Sequence, residues 1–347
     1  MESVALRLYG ITHQRAFSFG LIPYRLRRVI LLRSDIRLTL SVIAFEQLRA
    51  NIISLKPQVS ISLSRSENIA LCVAQNITNN LHHHGFYVML RIGGNDMEQR
   101  EILIKSSIDG TMQPSLFYKT TSSGKRPLLV GLHTWSHDRF NQINNMFPVA
   151  EKYKFNLLLP EFRGSNLISN PNCTFACGSE YAKQDIKDAI DYLLENEDID
   201  KENIFLLGLS GGGHMALLMA GMCPEYFKAI GAYVPITNLV DWVGENQGYA
   251  PHVLECCKND TNEMLKRSPI SYLDNIAKAN LKIFHGKKDP VVPVSHSIKL
   301  YNALMEKYPD ASVYLDIFDG GHEIDMQTAV YWIISQYTKI KKIQVTG

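Results

Sequence analysis

The chain has 347 residues, 46% hydrophobic and 20% charged, which is enough for a large buried core and more than one unit. A net charge of +2 argues against a general nucleic-acid or membrane-surface role, although residues 1–56 carry +6 and the remainder −4. Six cysteines in so long a chain exclude a disulfide-stapled miniprotein, and the uncharged stretch Leu38–Phe45 near the start is too short to span a bilayer.

Residues 1–56 hold eight arginines and Lys56 against Glu2, Asp35 and Glu46. That composition fits a transit segment or a pair of basic amphipathic helices; the reading preferred here is a basic extension without fixed order. The start lacks the basic, apolar and small-residue layout of a secretory signal, so a cytoplasmic protein is expected, and the sequons at Asn76, Asn172 and Asn259 are read as chance. Residues 57–98 form a small segment. Alternation over 59–63 predicts a strand, a helix is expected over 68–81, and the apolar run Phe86–Leu90 follows. His82, His83 and His84 are consecutive, so their side chains diverge and read as a solvated turn rather than a metal site.

From about residue 99 the pattern becomes regular. Glu101–Lys105 and Leu116–Lys119 flank the Asp109-Gly110 turn signal and predict a hairpin. Apolar strands are expected at 127–133, 156–160, 204–207, 229–234, 281–286 and 312–318, with helical segments between them, one over 181–194. Strands alternating with helices predict an α/β domain over 99–347, with a mostly parallel sheet covered on both faces. The stretch 236–279 is longer than a simple crossover needs and carries Trp242, Tyr249, His252 and the pair Cys256-Cys257. It is expected to be a cap-like insertion, with plain surface packing as the alternative. Cys173 and Cys177 are close in sequence, but no cysteine has zinc-site spacing; ordinary thiols are expected, a Cys173–Cys177 bridge being the alternative.

The chemistry is concentrated at Gly208-Leu209-Ser210-Gly211-Gly212, which fits G-x-S-x-G between an apolar strand and a helix-compatible run. Such a turn lifts the serine hydroxyl out of the sheet and sets the next N–H at a helix N-terminus, where an oxyanion can be held. A serine hydroxyl needs a base, and the base needs a group to orient it. Asp289 follows the strand 281–286 and His322 follows the strand 312–318, giving the order Ser, Asp, His at successive strand ends.

Residues about 100–340 resemble an α/β-hydrolase, most closely the catalytic domain of the prolyl oligopeptidase family and its esterase relatives. The resemblance rests on Pro160-Glu161-Phe162-Arg163-Gly164-Ser165, Asp185–Leu193, Asp200–Ile204, the Ser210 turn, Ser268-Pro269-Ile270, the Asp289 loop with Val291-Val292-Pro293, and Gly321-His322. It implies Ser210 as nucleophile, His322 as general base and acid, Asp289 as the group that fixes the imidazole, and no cofactor or metal. Gly211 N–H is one expected oxyanion donor. Members of this fold commonly have His-Gly where this chain has His133-Thr134, so the second donor is assigned to Trp135 N–H, with Thr134 as the alternative. Trp135, Arg163 and Trp242 are the candidate substrate contacts, although for Arg163 an ion pair with a nearby acid is the preferred role over holding a substrate carboxylate.

Three functions are weighed. A serine esterase acting through an acyl-enzyme is preferred, because peptidases of that family typically carry a large propeller and residues 1–98 are too few for one. A prolyl oligopeptidase-type peptidase is the alternative, which leaves a small ester or a short peptide as the expected substrate. A non-catalytic binding protein on this fold would be expected to have lost one of Ser210, Asp289 and His322. A metal-dependent enzyme lacks its H-E-x-x-H or similar ligand spacing.

Overall fold

The computed structural model describes residues 97–343, with side chains through residue 337, and five short strands before residue 92. The chain divides into compact units at Asn95/Asp96. In the first unit, Ile30–Leu32 pairs antiparallel with Asp35–Arg37, and Ala70–Cys72 lies antiparallel between Ile61–Ser62 and Met89–Arg91. Ala70–Cys72 is therefore strand where a helix over 68–81 was expected; pairing on both sides overrides a weak local pattern. The rest of that helix, His82–His84 and most of the Arg-rich extension lie outside the described residues.

The second unit is built on one eight-stranded sheet. Its strands are β1 (Met97–Lys105), β2 (Met112–Thr120), β3 (Arg126–Leu132), β4 (Asn156–Pro160), β5 (Ile199–Leu209), β6 (Ala229–Tyr233), β7 (Leu281–Gly286) and β8 (Val313–Phe318). The spatial order is β8-β7-β6-β5-β3-β4-β2-β1, with antiparallel pairing only at β1–β2 and β2–β4. The hairpin expected around Asp109-Gly110 is β1–β2, and Gly110 takes a positive φ in its turn. The other strands alternate with helices and run parallel, as βαβ connections require.

The main helices are α1 (Ile143–Tyr153), α2 (Glu180–Asn196), α3 (Gly211–Met222), α4 (Leu239–Glu245), α5 (Ala250–Cys256), α6 (Thr261–Lys266), α7 (Ser295–Lys307) and α8 (Met326–Ile343). Side-chain alternation along the strands feeds two cores. Leu128, Val130, Leu132, Ile204 and Leu206 pack on one face with α2, α3 and α7, whereas Leu129, Phe205 and Leu207 pack on the other with α1 and α8. Helix α3 is buried from Gly211 through Gly221, which explains why it is apolar on every side. Helix α2 starts where Ser179 Oγ accepts from Ala182 N–H at 3.1 Å.

The stretch 236–279 consists of α4, α5, α6 and a short helical turn at Pro269–Ile276. It makes a third apolar cluster with Trp135, Cys173, Cys177 and Val292. Among the described residues no helix is long and apolar enough to cross a membrane.

Candidate active site

Strand β5 ends at Leu209 and α3 begins at Gly211, which leaves Ser210 alone in the turn at φ 57°, ψ −117°. A positive φ is strained for a residue with a Cβ, and the backbone around it is correspondingly crowded. A Cβ on Gly208 would lie 2.1 Å from the Gly212 carbonyl oxygen, so no side chain fits there. The turn is held by Ser210 N–H donating to Tyr233 O at 2.9 Å and His214 N–H donating to Ser210 O at 2.8 Å.

Beyond the ends of β7 and β8 the next two loops bring in the predicted partners. His322 Nε2 lies 2.9 Å from Ser210 Oγ, and His322 Nδ1 lies 2.8 Å from Asp289 Oδ2. Asp289 Oδ1 accepts from the N–H groups of Val291 at 2.8 Å and Val292 at 2.9 Å. The Asp289 side chain is fully buried, while His322 retains 20% exposure and so faces an accessible space. Burial alone would raise the Asp289 carboxyl. The hydrogen bonds from His285, His322, Val292 and Val291 outweigh it and hold the group well below the usual carboxylate range.

The first residue of α3 packs directly on the loop after β3. A Cβ on Gly211 would fall 2.5 Å from Trp135 N, so these two peptides lie side by side at the serine turn. Thr134 N–H is committed to Asn141 Oδ1 at 3.1 Å, which removes Thr134 as the alternative donor. His133 is buried, stacked on Phe162 at 3.8 Å and bonded to Thr134 O and Glu161 O, and this fixes the start of the loop.

A model described as the prolyl oligopeptidase family matches residues 143–341. The chain belongs to that family. Its fold is accordingly that of an α/β-hydrolase. The acylamino-acid-releasing enzyme of Rattus norvegicus is 29% identical over 230 residues, covering 60% of this chain and 31% of the relative. The chain thus spans about a third of that relative's length. Among solved structures, an acylaminoacyl peptidase of Pyrococcus horikoshii matches with a TM-score of 0.55 at 22% identity, over 72% of this chain and 41% of that one. An esterase of Pyrococcus furiosus matches with a TM-score of 0.54 at 17% identity, over 72% of this chain and 95% of that one.

In this prolyl oligopeptidase family member the side chains of Arg163 and Trp242 are engaged within the protein. Arg163 is turned away from bulk solvent, its side chain only 5% exposed. It donates from Nε to Asp185 at 2.5 Å, from Nη1 to Asp109 at 2.8 Å and from Nη2 to Ser106 Oγ at 3.0 Å. With its fork used in this way it is a clamp between the β1–β2 turn and α2, not a binder of a substrate carboxylate. Hydrogen bonding from Arg163 holds the Asp109 carboxyl well below its usual range. The clamp sits on a strained turn: Phe162 and Arg163 both have positive φ, and Asn170 Nδ2 caps the Arg163 and Ser165 carbonyls.

Trp242 is 1% exposed, stacks on Tyr249 at 5.1 Å, and donates from Nε1 to Val291 O at 3.1 Å. It therefore braces the Asp289 loop from behind rather than touching substrate. Trp135 meets it edge-on at 4.9 Å and is 2% exposed, so the Trp135 indole forms no open wall, while its backbone and Cβ pack against the serine turn.

Three features escaped the sequence reading. His285, inside β7, lies 3.5 Å from Asp289 Oδ2; the only cue was a polar residue in the apolar, buried half of a strand, four positions before the aspartate. His214, one turn into α3, is fully buried, and burial pushes it down to about 4. Cys173, Cys177, Cys256 and Cys257 converge in the third apolar cluster as free thiols, so the Cys173–Cys177 bridge is absent. Burial pushes the Cys173 thiol up to about 11. Among the described residues no group of three or more His, Cys, Asp or Glu is placed to hold a metal ion.

Proposed function

We propose that Ser210, His322 and Asp289 act as nucleophile, general base and orienting carboxylate in hydrolysis through an acyl-enzyme. The observation that carries this is the continuous series Ser210 Oγ, His322 Nε2, His322 Nδ1 and Asp289 Oδ2, with contacts of 2.9 and 2.8 Å. His322 takes the Ser210 proton as Oγ attacks a carbonyl carbon, and Asp289 stabilises the imidazolium that forms. The oxyanion is received by the N–H groups of Gly211, at the start of α3, and Trp135 beside it. His322 then gives its proton to the leaving group, and water repeats the sequence to release the acid.

The substrate class we assign is the scissile amide after an N-acylated amino acid in a short peptide. What supports it is that the curated relatives, such as the one matched over 60% of this chain, are acylamino-acid-releasing enzymes. Simple esters are the second reading, supported by the same attacking geometry, since an alkoxide leaves without needing the protonation an amine requires. The test is turnover of acetyl-alanyl p-nitroanilide, alanyl p-nitroanilide and p-nitrophenyl acetate, with Ser210→Ala as control. Cleavage of the blocked anilide well above the free one is expected. Cleavage of the ester alone would replace the amide assignment, and turnover surviving in Ser210→Ala would place the nucleophile elsewhere.

A further inference from the structure

We infer that His285 is a positioning residue for Asp289, a second imidazole on the buried flank of the carboxylate that His322 uses. The inference rests on the roles proposed above for Ser210, His322 and Asp289.

Backbone contacts fix most of the site before any side chain is considered. Lys287 N–H donates to Phe318 O at 2.9 Å, and Lys288 N–H donates to Gly320 O at 2.9 Å. A Cβ on Gly286 would lie 2.1 Å from Gly321 O, so the loop carrying His322 rests directly on the backbone next to His285. The relative height of the two loops is therefore set. What remains free is the rotation of the Asp289 carboxylate about its own bonds.

His285 limits that rotation from below. Its ring is fully buried. Nε2 faces two acceptors, Val292 O at 2.9 Å and Asp289 Oδ2 at 3.5 Å, so Nε2 carries the hydrogen. Nδ1 lies 2.7 Å from Ser297 Oγ on α7, which sets the plane of the ring. One N–H thus ties down the carbonyl of Val292, and the N–H of that same residue, in the preceding peptide, orients Asp289 Oδ1 at 2.9 Å. The same N–H lies against Oδ2, the oxygen that accepts from His322. Loss of this ring would leave Oδ2 with one flanking donor and release the carbonyl of Val292, the residue whose N–H holds Oδ1. The neighbouring His296 takes no part, since it is turned to Glu245 and Thr237.

Two amide replacements separate positioning from bulk. In His285→Gln the amide nitrogen reaches the place of Nε2, whereas in His285→Asn it reaches only the place of Nδ1. The measurements are kcat and KM on the substrate cleaved by the wild type, the rate of Ser210 labelling by a fluorophosphonate, and the melting temperature. His285→Asn should lower kcat and the labelling rate by about 10- to 100-fold, the effect of one hydrogen bond to a charged group. KM should stay within about twofold, as for an interaction that acts in the transition state. His285→Gln should recover most of the loss.

Wild-type rates in His285→Asn, or equal losses in both variants with KM rising, would overturn the inference. Absence of labelling in the wild type would remove the Ser210 reading and this one with it. If the His285 variants do not fold, Ser297→Ala carries the test. It should lower kcat about 3- to 10-fold by releasing the ring plane, and an unchanged kcat would overturn the inference.

Discussion

The reacting side chains of Ser210, Asp289 and His322 on their loops and the buried layer around Trp135 are held in different ways. In the loops the polar contacts are short and converge: Asp289 alone is met by two backbone N–H groups and two imidazoles. In the layer the packing is aromatic and thiol, with Trp135, Trp242, Tyr249 and four cysteines in or against one cluster. There Trp135 Nε1 and His214 Nδ1 are buried without a hydrogen-bond partner among the described residues. The difference teaches that the reacting groups are fixed by the sheet, whereas their apolar backing is held by shape. Hydrogen bonds penalise small displacements strongly, while apolar contacts tolerate rearrangement at constant volume.

Variants can break this contrast, from the largest effect downward. Asp289→Asn should leave the fold intact and lower kcat by ~10⁴, because the amide cannot hold the His322 tautomer. A loss below about tenfold would instead point to Asp316, Asp319 or Asp325 as the partner of His322. Arg163→Met removes one partner of a buried ion pair. It should cost about 3–5 kcal/mol in denaturant unfolding and leave kcat of the folded fraction unchanged, since Arg163 touches only its clamp. A large fall in kcat at full folding would return Arg163 to the site.

His214→Phe probes the layer through pH. Burial holds His214 neutral in the fold, down to about 4 from 6.5, so between those values the unfolded chain binds the extra proton. Stability should therefore fall as pH drops from about 6.5 to about 4, by roughly 3 kcal/mol from this residue. The Phe variant should flatten that part of the stability–pH curve; an unaltered slope would show that another group titrates there. Trp242→Phe is the mildest change. Val291 O keeps its bond from Asn246 Nδ2 at 2.9 Å, so the cost should be about 1 kcal/mol with little change in kcat.

What the sequence disclosed follows the same division. Ser210, Asp289 and His322 were legible because each lies just beyond a strand whose apolar run is unambiguous. The strands themselves and the hairpin follow from the same periodicity, whereas their spatial order is seen only in the structure. An ion pair was the preferred role for Arg163, but its partners Asp109 and Asp185 were not legible, because they are 54 and 22 residues away and no local pattern names them. The choice between Thr134 and Trp135 needed the contact of Thr134 with Asn141. The four cysteines appear in sequence as two unrelated pairs, and only the packing of 236–257 against 166–177 makes them one cluster.

Ser210 meets a histidine 112 residues further on, which in turn meets an aspartate 33 residues before it. None of these contacts can form locally, and each depends on parallel strands paired through long crossovers. Such pairing is slow, because chain closure must precede any gain from the contacts it brings. During refolding, reactivity at Ser210 should therefore return only with the last phase of sheet assembly, after helical signal and collapse. A serine-directed label added at successive times would then act as a clock for completion of the fold.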